Sequence, residues 1–256
     1  MEDMQLNNPH DLFFKEVFGQ KEAALGFFRA YLPSEVFALL EPDSLERVNA
    51  AFVDQELTEH FSDILYAVSI QGMPAYLYLL FEHKSYVDEQ TPLQLLRYMV
   101  RIWESHLKED RTAKRLPVII PLVLYHGPER WKVGCDFRNL FEVNEVLTRY
   151  IPTFAAEIYD LSHLPDEEIR GELLVRASLL VMKYIFDPAL IEHLPRILLL
   201  WEEVARAKGA KECLEIVIRY LASTLPAENR SDLSRAVVTA IKESEVIMPT
   251  IAQKWV

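Results

Sequence analysis

Asp63-Ile-Leu-Tyr-Ala-Val-Ser-Ile70, Gln71-Gly72-Met73-Pro74 and Ala75-Tyr-Leu-Tyr-Leu-Leu-Phe-Glu-His-Lys84 follow one another without a break. Two aromatic and β-branched runs separated by Gly and Pro predict an antiparallel hairpin. Downstream, residues 91–110 predict an amphipathic helix that starts at Thr91-Pro92, where a first turn tolerates proline, and lines up Leu95, Met99, Ile102, Trp103 and His106. Pro117 to Tyr125 is apolar throughout, as a strand buried on both faces would be, and stops at the turn signal His126-Gly127-Pro128. Upstream, Phe13, Phe14, Val17, Phe18, Leu25, Phe28 and Leu32 recur near the helical period and predict a helix over 10–32, with a short one over 34–40. Residues 154–161 read as a further strand. Residues 165–186, 188–207, 210–224 and 231–243 read as helices, punctuated by Asp187-Pro188, Gly209 and Pro226. The expectation is an α/β protein: a mixed central sheet flanked by helices, then a helical C-terminal part.

The 256 residues allow one large domain or two small ones. Cys135 and Cys213 are too few for a disulfide framework or a cysteine zinc cage, which suits a reducing cytoplasm. The apolar run from Leu116 to Tyr125 is half a membrane span and contains two prolines, and the N-terminus lacks a signal-peptide core. The reading is therefore cytoplasmic, with no membrane partner. The net charge of −12 looks hostile to nucleic acid, but it is unevenly placed. Residues 1–110 carry 19 acidic and 8 basic side chains, whereas 111–149 carry 7 basic and 4 acidic.

Glu82 and Lys84 lie two apart, so a strand presents them on one face and His83 on the other. Ionised groups beside a core are costly unless paired or metal-bound, which makes them candidates for chemistry. An acid two residues before a lysine is weak evidence alone, since a chain of this composition holds about 1.7 by chance. Its neighbours add weight. Antiparallel pairing can bring Asp63 to the same sheet end as Glu82. Two carboxylates with the His83 backbone carbonyl are hard oxygen ligands suited to Mg²⁺ or Mn²⁺. Such a metal would activate water, with Lys84 orienting the nucleophile or stabilising the transition state. Gln94 and Tyr98, four apart on the following helix, project toward the same edge.

In this order the residues resemble the PD-(D/E)xK nuclease superfamily: Ser62-Asp63, then Glu82 and Lys84, then the Gln94-xxx-Tyr98 element of its RecB-like branch. With Pro9-His10-Asp11-Leu-Phe-Phe14-Lys15-Glu-Val-Phe18 and Phe81-Glu82-His83-Lys84-Ser85, the chain resembles the Rpn family of recombination-promoting nucleases, also described as YhgA-like transposases. The resemblance covers most of the chain, its specific motifs falling in 9–98. It implies a restriction-endonuclease-like core over 1–162, a helical subdomain over 163–256, and metal-dependent DNA cleavage that promotes recombination. Carried over, Asp63, Glu82 and the His83 carbonyl would ligate Mg²⁺, or Mn²⁺ or Ca²⁺ in its place, and Lys84 would be the catalytic lysine. Gln94 and Tyr98 would support the site or contact DNA. Asp11 and Lys15, with His10 beside them, would reach the site from the first helix. Ser62 stands where the superfamily name has Pro. The resemblance implies a charged helical tail beyond Val256, or else a shorter member of the family.

Plainer readings stand beside these. Asp11 and Lys15 can be a helix ion pair, Asp63 a cap, Gln94 and Tyr98 a polar rim, and Glu82 and Lys84 a pair on a solvated strand end. The 111–149 basic segment is usually a solvated face, yet beside a nuclease centre Lys114, Arg115, Arg130 and Lys132 are the expected phosphate contacts, with Lys15. No helix-turn-helix or zinc finger provides base readout, so little sequence specificity is expected. The alternative is a non-catalytic DNA-binding or assembly protein on a vestigial nuclease fold. In that case the apolar C-terminal helices, with Ile197-Leu-Leu-Leu-Trp201, would form a homodimer interface.

Overall fold

A computed structural model describes residues 8–48, 62–82, 87–132, 136–208 and 212–241. They form two compact units, Leu32–His163 and Met1–Tyr31 with Leu164–Val256.

The first unit is a mixed five-stranded sheet in the order β1 (Leu40–Val48), β2 (Ser62–Ile70), β3 (Met73–Glu82), β4 (Val118–Tyr125) and β5 (Glu157–Asp160). The first three strands are antiparallel neighbours, while β3, β4 and β5 run parallel. The predicted hairpin is present. Gln71 (φ 52°) and Gly72 (φ 75°) join its strands, two consecutive positive-φ residues of the kind that matches strand twist in a two-residue hairpin loop. The Glu41 side chain accepts a hydrogen bond from the Gly72 N–H at 2.7 Å and ties the loop to β1.

Strand β1 is absent from the sequence reading, because Leu40-Glu-Pro-Asp-Ser-Leu-Glu-Arg-Val48 carries charge and a proline where strands usually carry β-branched residues. An edge strand tolerates both. Its register shifts between Glu41 and Glu46, and in that interval Ser44 Oγ donates to the Glu41 carbonyl and accepts the Ser69 N–H. The crossover from β3 to β4 is the predicted helix, Thr91–Glu109. In chain order it is α4, after α1 (Pro9–Phe18), α2 (Lys21–Tyr31) and the one-turn α3 (Ser34–Phe37). Leu95, Tyr98, Met99 and Ile102 of α4 cover one sheet face and meet Leu65, Tyr78, Leu80, Ile119 and Val123. A short α5 (Glu145–Thr148) precedes β5.

The second unit is helical. The helix expected over 10–32 is two, α1 and α2, divided at Gly19-Gln20; Asn8 caps α1 by accepting the His10 N–H. The C-terminal helices are α6 (Leu173–Tyr184), α7 (Leu190–Lys208), α8 (Glu212–Thr224) and α9 (Arg230–Ala240). The sequence reading places 1–162 in one unit. By contact, residues 8–31 instead group with the C-terminal helices, for an aromatic reason. Phe13 stacks on Tyr220 of α8 at 4.3 Å, and His10 Nδ1 and the Tyr220 hydroxyl are hydrogen-bonded at 2.8 Å. A methyl group on Gly26 of α2 would lie 3.1 Å from Val175, so that glycine lets α2 approach α6 closely. No described helix is long and apolar enough to cross a membrane.

Helix α6 starts eight residues later than the expected 165. Asp166 is drawn instead into a half-buried polar knot, accepting from Lys183 Nζ at 2.6 Å, from the Tyr184 hydroxyl at 3.0 Å and from Arg196 at 3.0 Å. Burial pushes its carboxyl up, but Lys183 and Tyr184 outweigh that and hold it below the ordinary value of 3.8. Burial and the same carboxylate push the Tyr184 phenol up to about 12. A carboxyl with a depressed folded-state pKa adds stability that is present above its unfolded pKa and is lost as pH falls through the folded one. Asp166→Asn is therefore expected to cost about 1.5–3 kcal/mol at pH 7. In urea denaturation that difference should shrink as pH falls below about 4.

Candidate active site

Asp63 pairs with Leu80 in the antiparallel register, so Glu82 lies on the same sheet face as its diagonal neighbour. Diagonal positions bring side chains within about 7 Å. The face is the one α4 covers, because Leu65, Tyr78 and Leu80 alternate with Ile64, Leu79 and Phe81. Glu82 ends β3 and is buried, and its carbonyl accepts the His126 N–H at 2.8 Å, extending the β3–β4 ladder beyond Tyr125. The hairpin thus sets two carboxylates side by side at the carboxyl edge of the parallel strands, where open α/β sheets bind ligands.

A neutral donor holds Asp63, with further neutral polar groups on the same face. The Tyr78 hydroxyl donates to Asp63 Oδ2 at 2.5 Å. Tyr98 reaches across from α4 and lies 5.1 Å from the Tyr78 ring. Burial, followed by the Asp63 charge, holds both phenols well above their ordinary pKa, with Glu82 also raising Tyr78. Both therefore remain protonated donors at neutral pH. Gln94 stands one turn before Tyr98, and its buried Nε2 has no hydrogen-bond partner among the described residues. Beside Glu82, Tyr125 ends β4 in register with it. Asp160 of β5 pairs with Tyr125 and accepts the Trp131 N–H at 2.8 Å and His163 Nδ1 at 3.0 Å.

The structure thus brings together Asp63, Glu82, Gln94 and Tyr98 of the residues expected from sequence. Lys84 and the His83 carbonyl lie outside the described residues. Asp11 and Lys15 are four apart on α1, in the helical unit, with His10 beside Phe186 and Tyr220. Arg130 and Lys132 follow β4 at the site's end of the sheet. Lys114 and Arg115 precede Val118, the first residue of β4, and so lie at the opposite end, about 25 Å away for a strand of this length. Sequence reading missed Tyr78, Tyr125 and Asp160. Alternation from Glu82 gives the face of Tyr78, but only the register of β4 and β5 adds the other two.

Two acids do not make a full metal cage, and no described cluster of three or more His, Cys, Asp or Glu could hold an ion. Zinc would require such a set. Mg²⁺ is usually held by one or two carboxylates with water and substrate phosphate completing the shell, and Asp63 and Glu82 suit that demand.

Residues 8–211 match the family described as "Putative transposase, YhgA-like". Among curated proteins, the chain is 30% identical over 186 residues to "Recombination-promoting nuclease RpnA" of Escherichia coli (strain K12), covering 72% of this chain and 63% of that protein. It is 28% identical over 202 residues to "Recombination-promoting nuclease RpnC" of the same strain, covering 78% and 66%. "Inactive recombination-promoting nuclease-like protein RpnE", also of that strain, is 27% identical over 198 residues, covering 77% and 65%. The chain therefore spans just under two thirds of the length of each. No solved structure matches.

Replacing Tyr78 with Phe removes the donor to Asp63 Oδ2. Tyr78→Phe is expected to lower stability by about 1–3 kcal/mol in chemical denaturation, the cost of leaving a partly buried acceptor unsatisfied.

Proposed function

The chain belongs to the YhgA-like transposase family, and from that premise we propose that it is a metal-dependent DNA endonuclease that promotes recombination. The observation that carries the reading is the shared-face placement of Asp63 and Glu82 at the carboxyl edge of the sheet, with Gln94 and Tyr98 of α4 over the same face. The two carboxylates would hold Mg²⁺ or Mn²⁺, which supplies charge neutralisation at the phosphate and an activated water. Tyr78 holds Asp63 by one oxygen. That fixes the side chain without consuming the carboxylate, as an outer-shell partner of a metal ligand should. Lys84, two residues beyond Glu82, would place its ammonium beside the attacking water or the developing negative charge on phosphorus. Arg130 and Lys132, in the loop leaving β4, would contact the DNA backbone outside the reacting centre.

This reading also accounts for acid at a nucleic-acid site. The carboxylates repel a phosphodiester until a divalent cation is bound, so cleavage should depend steeply on the metal. The relative named inactive makes a binding or assembly role the competing reading, and plasmid cleavage in a Mg²⁺ titration separates the two. Wild type is expected to nick supercoiled DNA and to stop on chelation. Asp63→Ala, Glu82→Ala and Lys84→Ala, each checked for folding by circular dichroism, should each lose roughly a hundredfold or more in rate. Equal nicking by all four proteins, or none by wild type, rejects the nuclease assignment.

A further inference from the structure

Three strands end in a row. Glu82 of β3 pairs with Tyr125 of β4, and Tyr125 pairs with Asp160 of β5. Alternation from Leu80, Val123 and Ile158, which line the core under α4, puts all three side chains on that face. Tyr125 is fully buried, with its ring against the edge of Trp131 at 5.1 Å.

Its hydroxyl is the anomaly. The atom is buried and has no hydrogen-bond partner among the described residues; the Glu129 backbone amide lies nearby without closing a bond of normal geometry. Asp160 is already engaged by Trp131 and His163. A buried phenol with no acceptor destabilises a fold relative to phenylalanine, which would fill the same space without the polar atom. A phenol keeps its proton at neutral pH. A protonated phenol donates; it does not ligate a divalent cation. What fits it is an acceptor arriving from outside at the end of β3 and β4, and a phosphodiester oxygen is one.

We propose that Tyr125 is a substrate-binding residue of this site, its hydroxyl donating a hydrogen bond to a non-bridging oxygen of the phosphate that Asp63 and Glu82 act on. The inference rests on the nuclease reading above and adds a residue to it. Tyr125 occupies the position between the metal-holding edge and the loop carrying Arg130 and Lys132, so the strand that ends under the scissile phosphate leads directly into the loop that would follow the backbone.

The test is Tyr125→Phe in the full chain, with four readouts. These are the melting temperature, Mn²⁺ affinity by calorimetry, affinity for a DNA duplex in Ca²⁺, and kcat/KM for the same duplex in Mg²⁺. The expected result is a melting temperature equal to or above wild type and Mn²⁺ affinity within about twofold. With these, kcat/KM should fall roughly tenfold to a hundredfold, the loss typical of one hydrogen bond to a charged acceptor, and DNA binding in Ca²⁺ should weaken. Wild-type DNA affinity and kcat/KM in the variant overturn the proposal. So does a fall in Mn²⁺ affinity, which would place the hydroxyl in the hydration of the metal, and so does a lowered melting temperature or failure to fold, which would make it structural. If wild type itself neither binds nor cleaves the duplex, the nuclease reading falls and this inference falls with it. If wild type does both and the variant matches it, only this inference falls.

Discussion

The register of one hairpin governs everything else at the site. Gln71 and Gly72 turn the chain with two consecutive positive φ angles, and from that turn Asp63 falls opposite Leu80 and Ser62 opposite Phe81. Side chains alternate with a period of two, so a slip of one residue would send Asp63 to the face of Ile64 while Glu82 stayed under α4. The core guards against the slip. Leu65, Tyr78 and Leu80 are buried under α4, and moving any one of them would expose apolar surface and bury polar surface together. The hydrophobic pattern that folds the hairpin is thus also the device that sets two carboxylates together, with no separate element devoted to holding them.

Burying acids carries a cost, and a neutral phenol meets part of it at Asp63. The Tyr78 phenol donates to Asp63, and the Tyr98 phenol and the Gln94 amide of α4 lie on the same side of the sheet. Lysine or arginine in the same places would neutralise the carboxylates and take over the oxygens a metal needs. Tyrosine supplies a hydrogen bond with no charge, and the negative surroundings that raise its pKa also keep it a donor. The contrast with Asp166 is instructive. There a carboxylate is saturated by Lys183, Arg196 and Tyr184, an arrangement that stabilises the helical unit and leaves nothing for a ligand.

Much of this is legible in the sequence, and the divide between what is and what is not has a physical basis. The hairpin, α4 and β4 announce themselves because each is periodic or continuously apolar, and Asp63, Glu82, Gln94 and Tyr98 stand out as polar residues at fixed offsets from those runs. β1 is hidden because an edge strand is free to carry Pro42 and charge. The split at Gly19-Gln20 is hidden because the aromatic spacing continues across it. Tyr78 and Tyr125 are hidden for another reason: inside an apolar run a tyrosine counts as core, and which group its hydroxyl meets depends on register with a neighbouring strand. Asp160 depends on two such registers. The assignment of Lys114 and Arg115 to a phosphate-contact surface follows composition alone. Chain direction separates them from the site's edge, since β4 carries the backbone from one end of the sheet to the other.

That separation also changes how the charge of the chain should be understood. Counted over 111–149 the segment is basic, yet five of its seven cations divide between two ends of the sheet, with Arg111, Lys114 and Arg115 before β4 and Arg130 and Lys132 after it. Arg138 is committed to Asp136 by a bidentate contact. At the carboxyl edge, then, Arg130 and Lys132 stand against Asp63, Glu82, Glu129 and Asp160, and the balance among these described residues is negative. A phosphodiester approaching such an edge gains from the flanking cations only within a Debye length, about 10 Å at 0.1 M salt, and meets the carboxylates at the same range. On the nuclease reading, flanking cations alone would therefore not seat a scissile phosphate. A divalent ion between the two carboxylates would reverse the local sign, and neutral donors such as Tyr125 would then bind the phosphate without competing for that ion.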